Sequence, residues 1–364
     1  MAKRRVLPEA PHAWELHFLL PGDPATRTGG YVYDARILAE LRRAGWRVHL
    51  HTLDDSFPDP TPAALAAAEC LLASLPERAL TVIDGLALGG IPEAVAQQRD
   101  RLRLVALIHH PLAVETGLDG LTRARLYRDE RAALSHCRRV IVTSPNTAHA
   151  LIADYGVDEK RLGVVLPGTD PAPLASGAPD GVPRLLCIAT LTPRKGHAVL
   201  IEALAGLRDR PWRLDCIGSL TRSPETTAQL RALIERHELQ ARVRLLGEAA
   251  PEALSSYYQA ADLFVLPSYL EGYGMVLSEA VAHGLPIVST TAGAIPDTVP
   301  PGAGLLVPPG DVIALRQALA RVLDDVALRQ ELAIAAQRAR ATLPGWQQAG
   351  AAFAAELERI GAGD

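Results

Sequence analysis

The densest grouping of reactive residue types is Glu271-Gly272-Tyr273-Gly274-Met275-Val276 with Glu279 beyond it, set between the apolar runs Leu263–Leu266 and Pro286–Ser289. Glycines at 272 and 274 let backbone come close to a ligand. A helix starting near Met275 would aim its free N–H groups and positive dipole end at the same space. Such a place takes an anion, and a diphosphate fits best. Glu279, one turn into the helix, and Glu271, in the turn before it, can each accept two hydroxyl hydrogen bonds, as a ribose or hexose diol requires. The plainer readings are an acid complementing the helix dipole and a solvated loop acid.

Three further runs end apolar segments. Arg194 and Lys195 precede Gly196 and a helix start, where cations oppose the dipole unless an anion compensates them. Their expected task is to neutralise a departing diphosphate, an effect of about 2.7–4 kcal/mol for a preorganised charge stabiliser. Lysine is otherwise present only as Lys3 and Lys160 in a chain that uses arginine nearly everywhere, so Lys195 stands out. On this reading Lys195→Ala lowers activity at least ~100-fold and leaves thermal stability almost unchanged. His109 and His110 close a strongly apolar strand and are stopped by Pro111; at least one is placed in the site. Gly29-Gly30 forms half of a phosphate-binding turn, a plain tight turn, or room for an acceptor.

These residues can meet only if strands and helices alternate. Apolar strands are expected at Glu15–Leu20, Val48–His51, Leu80–Ile83, Leu102–Ile108, Arg139–Thr143 and Gly163–Leu166, and again at Arg184–Ala189, Arg213–Ile217, Val243–Leu246, Leu263–Leu266, Pro286–Ser289 and Gly304–Val307. Helical patterns fill the gaps, which predicts an α/β chain of two Rossmann-like, doubly wound parallel domains facing a cleft. The boundaries read as 1–170 for the first domain, 171–183 for a Pro, Ala and Gly-rich linker, 184–343 for the second domain, and 344–364 for a helix that returns to the first. In such sheets ligands lie outside the carboxyl ends of the strands. All the residues above fall there, together with Asp84-Gly85, Gly218, Gly247-Glu248 and Thr290 to Ala294.

Composition narrows the function. The 364 residues are 48% hydrophobic and 21% charged, with net charge −4 and no run of about 18 uncharged apolar residues to span a bilayer. No basic stripe suits nucleic acid. The Arg123, Arg125, Arg128 and Arg131 helix could touch an acidic lipid surface or a charged acceptor, or be a solvated face. The start, Met-Ala-Lys-Arg-Arg-Val-Leu-Pro, has no apolar core or cleavage site of a signal peptide, so a cytoplasmic protein, peripheral at the membrane's inner face at most, is expected. Cys70, Cys137, Cys187 and Cys216 lie singly and read as reduced core thiols. Metal motifs, a P-loop and a G-x-S-x-G elbow are missing. Asp54-Asp55 stands alone, so neither metal nor other cofactor is expected.

In order and spacing, Pro193 to Gly196, Leu246-Gly247, Ala261 to Ser268, Glu271 to Gly274, Glu279-Ala280 and Gly284 to Val288 resemble the retaining nucleotide-sugar glycosyltransferases of the GT-B fold, family 4, and the likeness covers nearly the whole chain. The resemblance implies that the second domain holds a nucleotide-diphosphate sugar and the first most of the acceptor, a saccharide, lipid-linked or small hydroxyl compound. Arg194 and Lys195 would bind the diphosphate, Glu279 the ribose, and Glu271 the transferred sugar, with backbone from Gly272 to Val276. His109 matches the family histidine near that sugar; here His110 follows it. The resemblance further implies transfer without metal and with the anomeric configuration kept. Two other readings stand beside it: a sugar-nucleotide epimerase of the same architecture, and a non-catalytic nucleotide-sugar-binding protein.

Overall fold

The computed structural model describes residues 14–361; the basic start that bears on a signal peptide, Lys3 and residues 362–364 lie outside them. The first domain runs β1 (Glu15–Pro21), α1 (Gly29–Arg43), β2 (Arg47–Leu53), α2 (Pro62–Ser74), β3 (Leu80–Asp84), α3 (Gly85–Leu88), α4 (Pro92–Gln98), β4 (Arg103–Ile108), α5 (Gly120–His136), β5 (Arg139–Val142), α6 (Pro145–Ala153) and β6 (Leu162–Val164). The second runs β7 (Arg184–Ile188), α7 (His197–Ala205), β8 (Arg213–Ile217), α8 (Pro224–Arg236), β9 (Val243–Leu245), α9 (Pro251–Gln259), β10 (Leu263–Leu266), α10 (Met275–Ala282), β11 (Ile287–Thr290), α11 (Ile295–Thr298), β12 (Gly304–Val307), α12 (Val312–Asp324) and α13 (Val326–Ala339); α14 (Trp346–Gly361) closes the described chain.

Each domain is one parallel sheet, ordered β2-β1-β3-β4-β5-β6 and β12-β11-β10-β7-β8-β9. The strand order reverses between β1 and β3 in the first and between β7 and β10 in the second. Strands covered on both faces are apolar throughout, which is why they read as continuous runs. Along β1, Leu16, Phe18 and Leu20 pack with α1 and α14, while Leu19 joins Leu53, Leu72 and Ile83 on the other face. The second domain has a single contiguous core built around β7, β8, β10 and β11.

Helix starts follow local chemistry. Asp84 accepts from Leu86 N to cap α3, Asp119 accepts from Leu121 N and Thr122 N to cap α5, and Ser144 accepts from Thr147 N to cap α6. α14 carries Trp346, Ala349, Phe353, Leu357 and Ile360 at helical spacing into the first domain's core, each large side chain adding about 1.5–3 kcal/mol by burial. Gly350 allows its close approach to Glu40 of α1, and Arg139 of β5 donates to Glu356 across 2.6 Å.

The 171–183 segment lacks regular structure, yet it is tied to the second domain: Ala175 N donates to His283 O and Ser176 N to Gln259 O, both at 2.8 Å. One expectation is corrected. Cys70 is exposed, on the outer side of α2, and only Cys137, Cys187 and Cys216 are buried. On α5, Arg125 pairs with Asp59 at 3.0 Å and Arg128 with its neighbour Asp129 at 2.8 Å, so part of that arginine face is neutralised locally. Among the described residues, no helix is long and apolar enough to cross a membrane.

Candidate active site

Ligands of open parallel sheets sit where the strand order reverses. In the first domain that point is the carboxyl end of β1 and β3, which leads to Gly29-Gly30 and to Asp84. In the second it is the end of β7 and β10, which leads to Arg194-Lys195 and to Glu271. The two rims touch beside these points, where His109 follows β4: a Cβ on Gly272 would lie 2.1 Å from the His109 carbonyl oxygen, so only glycine fits there.

Lys195 Nζ donates to Glu271 Oε1 at 2.6 Å, and Ser268 Oγ donates to the same oxygen at 2.6 Å. Burial lowers the Lys195 pKa against the pull of Glu271; burial works to raise Glu271, and Lys195 and Arg194 outweigh it and hold the carboxyl below its ordinary value. Arg194 donates to Leu270 O at 2.7 Å and reaches across the cleft to Glu115 Oε1 at 3.2 Å. Glu115 also meets His110 Nε2 at 3.6 Å. Its burial is overcome by His110, Arg194 and the Thr116 N–H, which hold it down to about 2. The two cations at this helix start are therefore compensated by two protein carboxylates, a pairing the sequence reading did not anticipate.

Beyond Glu271 the turn passes through Gly274 in the left-handed region, at φ 88°, into α10. Met275 packs against the first domain's core, and Tyr273 O accepts from the Thr298 hydroxyl. Tyr258 of α9 donates from its hydroxyl to Glu279 Oε2 at 2.8 Å and lies 3.2 Å from Val276 O. Burial pushes Glu279 up to about 7, with the Tyr258 bond opposing the shift.

In the facing half, His109 Nε2 lies 3.2 Å from Asp34 Oδ1 and 3.5 Å from Asp84 Oδ2. Both carboxylates are buried. Gly30 lies in the first turn of α1, a position where an added Cβ would stand 3.2 Å from the His109 ring. Tyr33 meets the ring edge-on at 5.4 Å. The two histidines divide: His109 faces Asp34 and Asp84, and His110 faces Glu115.

A cavity of about 370 Å³ lies between the domains, lined by Arg27, Thr28, Thr190, Ser219, Arg222 and Glu248 among others. Asp34, Glu115, Ser268 and Tyr258 were not singled out from the sequence. Asp34 did carry a signal: it sits in the buried stripe Tyr33, Ile37, Leu38, Leu41 of α1, a charge on an apolar face. Glu115 carried none, because the cation it meets across the cleft, Arg194, comes from a distant loop.

Residues 172–339 match the family described as Glycosyl transferases group 1, and residues 86–173 match Glycosyltransferase Family 4. The chain is 32% identical over 259 residues to the D-inositol 3-phosphate glycosyltransferase of Kineococcus radiotolerans, covering 63% of this chain and 58% of that protein. It is 30% identical over 225 residues to the enzyme of the same name from Corynebacterium diphtheriae, covering 57% of this chain and 53% of that one. The chain thus spans little more than half the length of these curated relatives. Among solved structures it is similar to sucrose-phosphate synthase from Thermosynechococcus elongatus, with TM-score 0.80, 24% identity, and coverage of 97% of this chain and 100% of that chain. It is also similar to HepE of Anabaena in complex with UDP-glucose, with TM-score 0.74, 19% identity, and coverage of 95% and 99%. Both likenesses are of fold.

Proposed function

The chain belongs to the GT-B glycosyltransferases of group 1 and family 4, and from that membership we propose that it moves a sugar from a nucleotide-diphosphate sugar to a hydroxyl acceptor, keeping the anomeric configuration and using no metal. The observation that carries this reading is the convergence of Lys195, Arg194, Glu271 and the start of α10 on one reversal point. Cations and a helix N-terminus at that place suit a diphosphate leaving group. Glu279, already held by the Tyr258 hydroxyl, is the carboxylate assigned to the nucleotide ribose. Glu271 Oε1 accepts from both Lys195 and Ser268, which makes it a poor nucleophile and favours proton removal from the acceptor by the departing phosphate on the same face. A UDP-glucose complex of a fold neighbour supports the donor class.

The phosphate in the acceptor named for the curated relatives is not carried over. The acceptor is described only as a hydroxyl compound, soluble or at a membrane surface.

A thermal-shift panel of UDP, GDP, ADP and dTDP with their sugars tests the donor. One nucleotide class is expected to raise the melting temperature, since a ligand at 100 times its Kd adds about 2.7 kcal/mol. No shift with any of them would defeat the reading. Epimer formation from donor alone would favour an epimerase, and binding with no turnover towards any acceptor a binding protein.

A further inference from the structure

Asp34 poses a problem that the donor site does not solve. It is 1% exposed, and its Oδ2 has no hydrogen-bond partner among the described residues. A buried carboxylate oxygen left in this way is expensive unless a full positive charge compensates it nearby. Among the described residues, the only group at hydrogen-bond distance from Asp34 Oδ1 is His109 Nε2 at 3.2 Å, and the same nitrogen lies 3.5 Å from Asp84 Oδ2. Asp84 is committed through Oδ1 to the Leu86 N–H at 2.9 Å, so only its other oxygen can serve the ring. One Nε2–H between two buried carboxylates fixes which nitrogen carries that proton, and a neutral ring would leave two negative charges in one buried volume with no counter-charge.

We propose that Asp34 and Asp84 are positioning residues that keep His109 as an imidazolium, with Nε2–H held between them and Nδ1–H presented to the cleft as a permanent donor. His109 is then a fixed hydrogen-bond donor and positive charge beside the transferred sugar, and not a general base. This role for the ring rests on the donor reading above; its protonation does not. Nδ1 lies on the ring edge opposite the carboxylates, has no partner among the described residues, and is not among the buried unpartnered atoms. It therefore opens to accessible space, in a side chain that keeps 20% of its surface.

The titratable groups facing the ring are Asp34 and Tyr33 from α1 and Asp84 from the end of β3. The second domain meets this residue with the Gly272 backbone. Burial works to lower His109, and the two carboxylates more than reverse it, to about 10. Burial also pushes Asp34 up to about 6, with His109 opposing. The rise at His109 keeps the ring charged at neutral pH, while the rise at Asp34 works against its ionisation and is opposed by that charged ring.

The test is ring-nitrogen NMR of the whole chain labelled with ¹⁵N-histidine, with the His109 signals assigned by His109→Gln. Both His109 nitrogens are expected to remain in the protonated range to about pH 9, and Asp34→Asn to bring the midpoint down by at least two pH units. A wild-type midpoint below pH 7 would overturn the proposal, and that reading needs no substrate and no variant beyond the one used for assignment. Where transfer is measurable, the wild-type kcat profile shows no limb near pH 6.5 and the Asp34→Asn profile gains one. Failure of the donor panel with a protonated His109 would remove only the catalytic role; a neutral His109 in an active transferase would remove only this inference.

Discussion

Lys195 was expected to be replaceable without structural cost, and its contacts contradict that. It is 15% exposed in its side chain and pairs with a Glu271 that is 8% exposed, so Lys195→Ala strands a buried carboxylate. Breaking such a pair costs about 3–5 kcal/mol, and Arg194 at 3.9 Å offsets part of it. The melting temperature of Lys195→Ala should fall by several degrees and recover largely in Lys195→Met/Glu271→Gln, while transfer stays at least ~100-fold down in both. An unchanged melting temperature in the single variant would show that the ion pair contributes nothing. The motif positions themselves could be read from residue types and spacing, because glycines, cations and acids at strand ends are local features. What they touch could not be read: Glu115 meets Arg194 from 79 positions away, and no local pattern records that.

At the level of elements, the strands were legible because burial on both faces leaves uninterrupted apolar runs between turn residues, and each of the twelve expected has its counterpart among those described. α3 and α11 were not, since four residues are too few to show a period. The arginine pattern read on α5 gave no sign of Glu130, which faces inward and is fully buried. Its Oε2 accepts from Leu112 N at 2.9 Å, and its Oε1 has no partner among the described residues. Burial raises its pKa to about 8. An acid raised in the folded state loses stability as pH climbs from the unfolded value near 4.5 through about 8. Glu130→Gln is isosteric and cannot ionise, so its melting temperature relative to wild type should be higher at pH 9 than at pH 6. Equal differences at the two pH values would show that Glu130 ionises freely in the folded chain.

Across the whole molecule, the two sheets present their carboxyl-end rims to one another, and the contacts between them include Arg194 with Glu115, Gly272 against His109, Met275 on the first domain's core, Thr169 Oγ1 to Ser278 Oγ at 3.0 Å, and Arg27 to Ala249 O at 3.2 Å. Closing two such rims around a donor excludes water and strengthens every charge inside. On that account the cations for the leaving group come from Arg194 and Lys195, so activity should survive chelation by EDTA, and metal-reversible loss would show that a divalent ion does their work. The central claim is tested most directly by incubating the chain with the nucleotide sugar that stabilises it and a hydroxyl acceptor, in EDTA, and following the anomeric proton by NMR. The account predicts release of nucleoside diphosphate matched by a glycoside with the donor's anomeric configuration. A glycoside of opposite configuration, or donor turned over only to its epimer, would contradict it.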